Sequence, residues 1–111
     1  MKEQRAHVRK LMHEQAYLAD ASGTSWAPVV LVDISLTGIS FASPTPIISG
    51  ELRVLQFRMP GSPLLHRAQI HIVHHSRSGV PLGFKVGARF EEIGADTRDA
   101  IAGFLDKAPA A

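Results

Sequence analysis

Two arginines near the start of the chain, Arg5 and Arg9, have the type and spacing to bind an anion. They lie four positions apart in the segment QRAHVRK. A guanidinium presents a planar fork of N–H donors that suits phosphate and carboxylate oxygens. By itself the spacing also fits a short terminal helix with two solvated charges on one face.

A second polar group follows the apolar run PVVLV. In the segment DISLTG, Asp33 ends this run, Ser35 follows, and Gly38 opens the next apolar run, GISFAS. Asp and Ser bond to their own backbone in turns and Gly allows positive φ, so an isolated D-x-S-x-x-G is usually just a turn. The segment therefore predicts a sharp connection between two strands, with a carboxylate and a hydroxyl at the turn.

The charges are unevenly distributed, although the net charge is only +2. Residues 1–10 carry four bases and one acid, whereas residues 91–106 carry five acids and one base. This asymmetry predicts a local anion site at the front of the chain rather than a basic face spread over the molecule.

The composition bounds the class of protein. With 111 residues, 45% of them hydrophobic, the chain is expected to form one globular domain. No apolar run approaches the roughly 18 residues of a transmembrane helix, and the polar N-terminus is unlike a signal peptide, so we expect a cytoplasmic protein. The absence of cysteine excludes disulfides, zinc–thiolate sites and thiol catalysis.

Short apolar runs separated by turn residues predict an all-β domain. The runs cover 11–18, 28–34, 38–42, 51–59, 64–75 and 82–90. Several alternate with period two, which is typical of half-buried strands. In AQIHIVH one face carries Ala68, Ile70 and Ile72, and in GFKVGARF the polar face carries Lys85, Gly87 and Arg89. Six strands at this spacing favour a small antiparallel barrel or sandwich.

The last segment, ADTRDAIAGFLDKA, has helical rather than strand periodicity. Its apolar stripe comprises Ala100, Ile101, Phe104 and Leu105. Asp96 or Thr97 is expected to cap the N-terminus of this helix.

Together the two polar motifs resemble the signature of the PilZ domain family. R-x-x-x-R is followed by 23 residues and then by D-x-S-x-x-G. The segment VGARF resembles the family's last barrel strand and the final segment its C-terminal helix, so the resemblance extends from about residue 4 to 106. It implies a six-stranded antiparallel β-barrel with a C-terminal helix. It also implies a flexible N-terminal arm at 1–10, the barrel and helix at 11–106, and a frayed tail at 107–111.

The resemblance implies a non-catalytic receptor for the bacterial second messenger cyclic di-GMP. Arg5 and Arg9 would bind phosphate and guanine, Asp33 and Ser35 would recognise a guanine edge, and Gly38 would allow close approach. Further candidates at the rim of the site are Gln4, Lys10, His74, His75 and Arg89. The arm would become ordered over the barrel when the ligand binds, and this change would be relayed to a protein partner.

Other functions remain as alternatives. A PilZ-like adaptor for pilus assembly would not bind nucleotide, and such members generally lack the motif residues. A nucleic-acid-binding barrel needs basic strands interleaved with aromatics, which this chain lacks. No nucleophile with a base, metal site or phosphate loop is evident, so we expect neither an enzyme nor a cofactor. A monomer or weak dimer that does not insert into membranes is expected.

Overall fold

The computed structural model describes residues 8–77 and 83–107. Six strands are followed by one helix: β1 (Lys10–Ala19), β2 (Trp26–Ile34), β3 (Gly38–Ser43), β4 (Leu52–Arg58), β5 (Leu65–Arg77), β6 (Phe84–Glu92) and α1 (Ala95–Asp106). The strands form a closed antiparallel barrel in the order β1-β2-β3-β6-β5-β4. The prediction of a six-stranded barrel with a C-terminal helix is confirmed. The predicted arm and tail lie largely outside the described residues, although β1 already begins at Lys10.

The interior of the barrel is filled by alternate residues of every strand. On β5 the buried residues are Ala68, Ile70 and Ile72, and on β6 they are Val86 and Ala88. This is the period-two pattern of the sequence, in which inward apolar residues alternate with outward polar ones. Burial of these side chains stabilises the barrel and makes it a rigid support for residues on its outer surface.

Two irregularities in the strands turn polar residues outward. The pairing of β2 with β3 shifts between Leu31 and Asp33, and the pairing of β5 with β6 shifts between Ile72 and His74. Strict alternation would place Asp33 and His74 inside the barrel, on the side of Leu31 and Ile72. Because each shift adds a residue to one strand, it moves these two side chains to the outer face.

Helix α1 packs against the barrel through its apolar stripe. Ile101 is fully buried, and Ala100, Phe104 and Leu105 pack against the core, as the apolar stripe predicted. The expected caps were wrong: the N-cap is Gly94, in extended conformation and without a side-chain cap bond. Thr97 instead points into the protein, where its hydroxyl bonds to the buried His66 ring at 2.9 Å.

Candidate functional site

A pocket of about 390 Å³ lies on the outer face of the barrel, where β2, β3, β5 and β6 run side by side. The cross-strand register brings its parts together, because Asp33 is opposite Ser40, Ser40 is opposite Gly87, and Gly87 is opposite His74. Its lining residues are Arg9, Asp33, Thr37, Gly38, Ser40, Val73, His74, Lys85, Gly87, Ala88 and Arg89.

The two sequence motifs meet at this pocket through Arg9 and Asp33. The Nε and Nη2 atoms of Arg9 both donate to Oδ1 of Asp33 at 2.8 Å, although the residues lie 24 positions apart. The Asp33 side chain is 15% exposed, whereas that of Arg9 is 44% exposed. The carboxylate is therefore held by the barrel, while the arginine approaches it from solvent.

Ser35 has a structural role in the turn between β2 and β3. It is fully buried, and its Oγ accepts hydrogen bonds from the backbone N–H groups of Thr37 and Gly38 at 3.2 and 3.1 Å. Nη1 of Arg9 lies 3.4 Å from the same oxygen. The hydroxyl thus shapes the turn and lies next to the arginine. Ser35 was predicted to recognise a guanine edge, but it does not line the pocket, because the turn backbone occupies its buried oxygen.

Gly38 is required for a reason other than the one expected of a turn glycine. In the described part of the chain, positive φ angles occur at Gly23, Gly50, Gly61 and Gly83, not at Gly38. A Cβ atom at position 38 would instead lie 2.6 Å from the backbone oxygen of Ala88 on β6. The close approach is therefore between two strands at the floor of the pocket.

On the far side of the pocket, His74 and Arg89 line the wall. The imidazole ring of His74 lies over Gly87, with Nε2 only 2.9 Å from where a Cβ atom at 87 would be. Nη2 of Arg89 lies 2.8 Å from Nδ1 of His71. Because arginine can only donate, Nδ1 of His71 is the acceptor in this bond.

The structure does not bring every predicted residue to the pocket. Lys10 points to the C-terminal end of α1, where Nζ donates to the backbone oxygens of Phe104 and Lys107 at 3.0 and 3.2 Å. The ring of His75 packs edge-on against Phe84, with 5.9 Å between ring centroids. Gln4 and Arg5 lie outside the described residues.

Several pocket residues were missed by the sequence reasoning, namely Thr37, Ser40, Val73, Lys85, Gly87 and Ala88. Alternation in GFKVGARF placed Lys85, Gly87 and Arg89 on the outer face, so the signal for two of the missed residues was present. Ser40 could be found only from the register of β3 against β2 and β6, which the sequence does not reveal.

The charges around the pocket favour an anion. Arg9, Lys85 and Arg89 supply three positive charges to the lining, and Asp33 supplies one negative charge. Asp33 is already paired with Arg9, so the lining as a whole is cationic. Among residues 8–77 and 83–107, no set of three His, Asp or Glu side chains is placed to hold a metal ion. Helix α1 has 12 residues. Within residues 8–77 and 83–107, no helix is long and apolar enough to cross a membrane.

Solved structures similar to this one contain the same fold. One is the Bacillus subtilis inhibitor of motility MotI/DgrA, with a TM-score of 0.77 and 16% identity over 95% of this chain and 50% of that one. Another is the Klebsiella pneumoniae MrkH–c-di-GMP complex, with a TM-score of 0.67 and 15% identity over 95% of this chain and 52% of that one. The chain thus spans about half the length of each.

A third similar structure is the PilZ domain of CeSA from a cellulose-synthesising bacterium. The TM-score is 0.57 and the identity 15%, over 88% of this chain and 94% of that one. A search of curated proteins found no match. The PilZ domain profile matches residues 3–107, which is nearly the whole chain. PilZ domains are non-catalytic and typically bind cyclic di-GMP. Because the profile covers nearly all of the chain, the chain belongs to the PilZ domain family.

Proposed function

We propose that the pocket around Asp33 binds cyclic di-GMP and that this chain acts as a receptor for it. The observation that carries the proposal is the meeting of the two motifs, in which Arg9 reaches over Asp33 and Ser35 at a cationic pocket. Membership of the family supports the same ligand, as does the similarity in fold to MrkH, which was solved as a complex with c-di-GMP.

The chemistry of the ligand matches the groups at the pocket. Cyclic di-GMP carries two phosphodiester anions and two guanine bases. Arg9, together with Arg5, would bind phosphate oxygens and stack on or bond to guanine, because a guanidinium suits both. Asp33 would accept from guanine N–H donors. Charge-assisted bonds contribute roughly 1.5 to 3 kcal/mol each, so four or five of them would supply the roughly 8 kcal/mol of micromolar binding after its costs.

Binding requires Arg9 and Asp33 to separate from each other and to bond to the ligand instead. Without ligand each satisfies the other, and the exposure of Arg9 lets its side chain reorient at little packing cost. The segment with Arg5 and Arg9 would then become ordered over the pocket by contact with the ligand. This ordering changes the surface that an unidentified protein partner meets, which is how the signal would be relayed.

Isothermal titration of cyclic di-GMP tests the proposal. We expect saturable binding by the wild type, its loss in Arg5→Ala/Arg9→Ala, and no comparable binding of GTP. Arg58→Ala/Arg67→Ala is a matched control, because it removes two outward arginines on β4 and β5 away from the pocket.

Two outcomes would contradict the proposal. A folded wild-type protein that gives no heat would favour the non-binding adaptor. An equal loss of affinity in both double variants would mean that binding depends on the net charge of the protein rather than on this pocket. The molar ratio of binding would in addition separate one bound ligand from two.

A further inference from the structure

Ser40 is a buried hydroxyl at the pocket without a hydrogen-bond partner. It is 5% exposed, and among the described residues its Oγ is fully covered and bonds to nothing. The neighbouring buried serines differ, because Ser35 bonds within its turn and Ser43 donates to the backbone oxygen of Thr45 at 2.7 Å. A buried polar group without a partner is unfavourable and calls for a functional explanation.

The position of Ser40 points to such an explanation. On β3 it lies directly between Asp33 of β2 and Gly87 of β6, both of which line the same pocket. Directly opposed residues have Cβ atoms roughly 4.5 to 5.5 Å apart, so the edge of a single base can contact both the Ser40 hydroxyl and the Asp33 carboxylate. Gly87 has no side chain, and the His74 ring occupies the space above it.

We propose that Ser40 is a specificity-determining residue that donates a hydrogen bond to O6 of the guanine held by Asp33; this inference rests on the proposed function. Guanine presents the O6 acceptor next to its N1–H and N2–H donors. A carboxylate that takes the two donors, beside a hydroxyl that gives to the acceptor, complements all three groups. Adenine carries an amino donor in place of O6, so the pair disfavours it.

The same geometry assigns a role to His74. The hydroxyl of Ser40 is covered, and the imidazole lies over Gly87, directly opposite Ser40, so a base would reach the hydroxyl once the imidazole moved away. His74 lies on the exposed end of β5 and is itself exposed, so this movement disrupts no core packing. The bare backbone at Gly87 then leaves room for the edge of the base beside Ser40.

The experiment compares Ser40→Ala with Ser43→Ala, by titration of cyclic di-GMP and by thermal unfolding without ligand. For Ser40→Ala we expect about a tenfold rise in Kd and a melting temperature equal to or above that of the wild type, because an unsatisfied buried hydroxyl is removed. For Ser43→Ala we expect the reverse, with a lower melting temperature and an unchanged Kd. Cyclic di-IMP, which keeps O6 but lacks the N2 amine, should lose the same factor in Ser40→Ala.

The outcomes separate this inference from the proposed function. If the wild type binds cyclic di-GMP and Ser40→Ala binds it equally well, the role of Ser40 is wrong while the receptor function stands. A weaker Ser40→Ala with a clearly lowered melting temperature would assign Ser40 a structural role and overturn the inference. If the wild type binds neither cyclic dinucleotide, the proposed function fails and the inference fails with it.

Discussion

At the residue scale, the candidate site depends on a glycine that no turn conformation requires. Gly38 lies where β3 passes so close to β6 that a single methyl group would meet the backbone oxygen of Ala88. The D-x-S-x-x-G motif thus combines two tasks. Its glycine lets the strands close under the pocket, and its serine ties the turn that presents Asp33.

We expect Gly38→Ala to lower the free energy of unfolding by about 1 to 3 kcal/mol, because the added Cβ forces two backbones apart. Gly103→Ala is the control, since a Cβ there meets nothing within 4 Å on α1. That variant should gain about 0.5 to 1 kcal/mol from helix propensity. Urea unfolding of both variants measures the difference, and a Gly38→Ala protein as stable as the wild type would refute the account of the strand contact.

Asp20 organises the connection between β1 and β2. The backbone N–H of Thr24 donates to its Oδ1 at 3.0 Å and is the main cause of the lowered pKa of Asp20. Desolvation opposes this by raising the pKa, and the Ser22 hydroxyl and the Ser25 and Gly23 backbone lower it further. A carboxylate with a lowered pKa in the folded state adds stability above its unfolded pKa, and this stability is lost as the pH falls through the folded value.

We therefore expect Asp20→Asn to melt below the wild type at pH 7, with a difference that shrinks as the pH falls below about 4. Circular dichroism melts at a series of pH values measure this. A difference in melting temperature that stayed constant down to pH 3 would show that the charge of Asp20 does not matter to the turn.

At the scale of elements, strand alternation and turn residues were enough to predict six strands in a barrel or sandwich, and the resemblance to the PilZ family favoured the barrel. The predicted apolar runs agree with β1 to β6, and Ala68, Ile70 and Ile72 face inward as expected. The irregular pairings beside Asp33 and His74 could not be predicted, because they depend on how neighbouring strands align rather than on local propensity. These two places are where the barrel turns pocket residues outward.

The predicted N-cap of the helix was wrong for a related reason. Asp96 and Thr97 have the residue types of N-caps, but Thr97 is drawn inward by His66, and the helix begins after Gly94. Both Thr97 and His66 are 6% exposed, so their bond is shielded from water. It joins α1 to β5.

Thr97→Val keeps the shape of the side chain but removes the hydroxyl. The buried Nδ1 of His66 then loses its partner, and we expect a loss of about 1 to 3 kcal/mol of unfolding free energy. Thr97→Ser, which keeps the hydroxyl, should retain more of the stability. Equal melting temperatures for Thr97→Val and the wild type would mean that the bond contributes nothing to the docking of α1.

At the scale of the whole molecule, charge is sorted between two neighbouring regions. Arg9 faces the pocket, whereas the adjacent Lys10 turns to the C-terminal end of α1, where its ammonium also lies 4.4 Å from the Phe104 ring centroid. A cation at a helix C-terminus is favourable because it opposes the helix dipole. Of the two described bases in the N-terminal segment, Arg9 therefore lies at the candidate pocket and Lys10 attaches the end of the helix.

Only some of the candidate site residues could be identified from the sequence. Arg9, Asp33 and Gly38 were recognisable because they belong to motifs, and Arg89 because it lies outward on an alternating strand. Lys10 has the same residue type as a phosphate ligand, and only the packing of α1 beside β1 shows that its ammonium is engaged elsewhere. Ser40 needed the barrel register.

The central claim is that the pocket around Asp33 is the cyclic di-GMP site, and amide NMR of the wild type titrated with the ligand tests it most directly. We expect the largest shift changes at Asp33, Gly38, Ser40 and Gly87, which surround the pocket on three strands. Amides on β4, such as Gln56, should stay in place because this strand contributes nothing to the lining. Saturable changes centred on β4, or none at the pocket, would contradict the account.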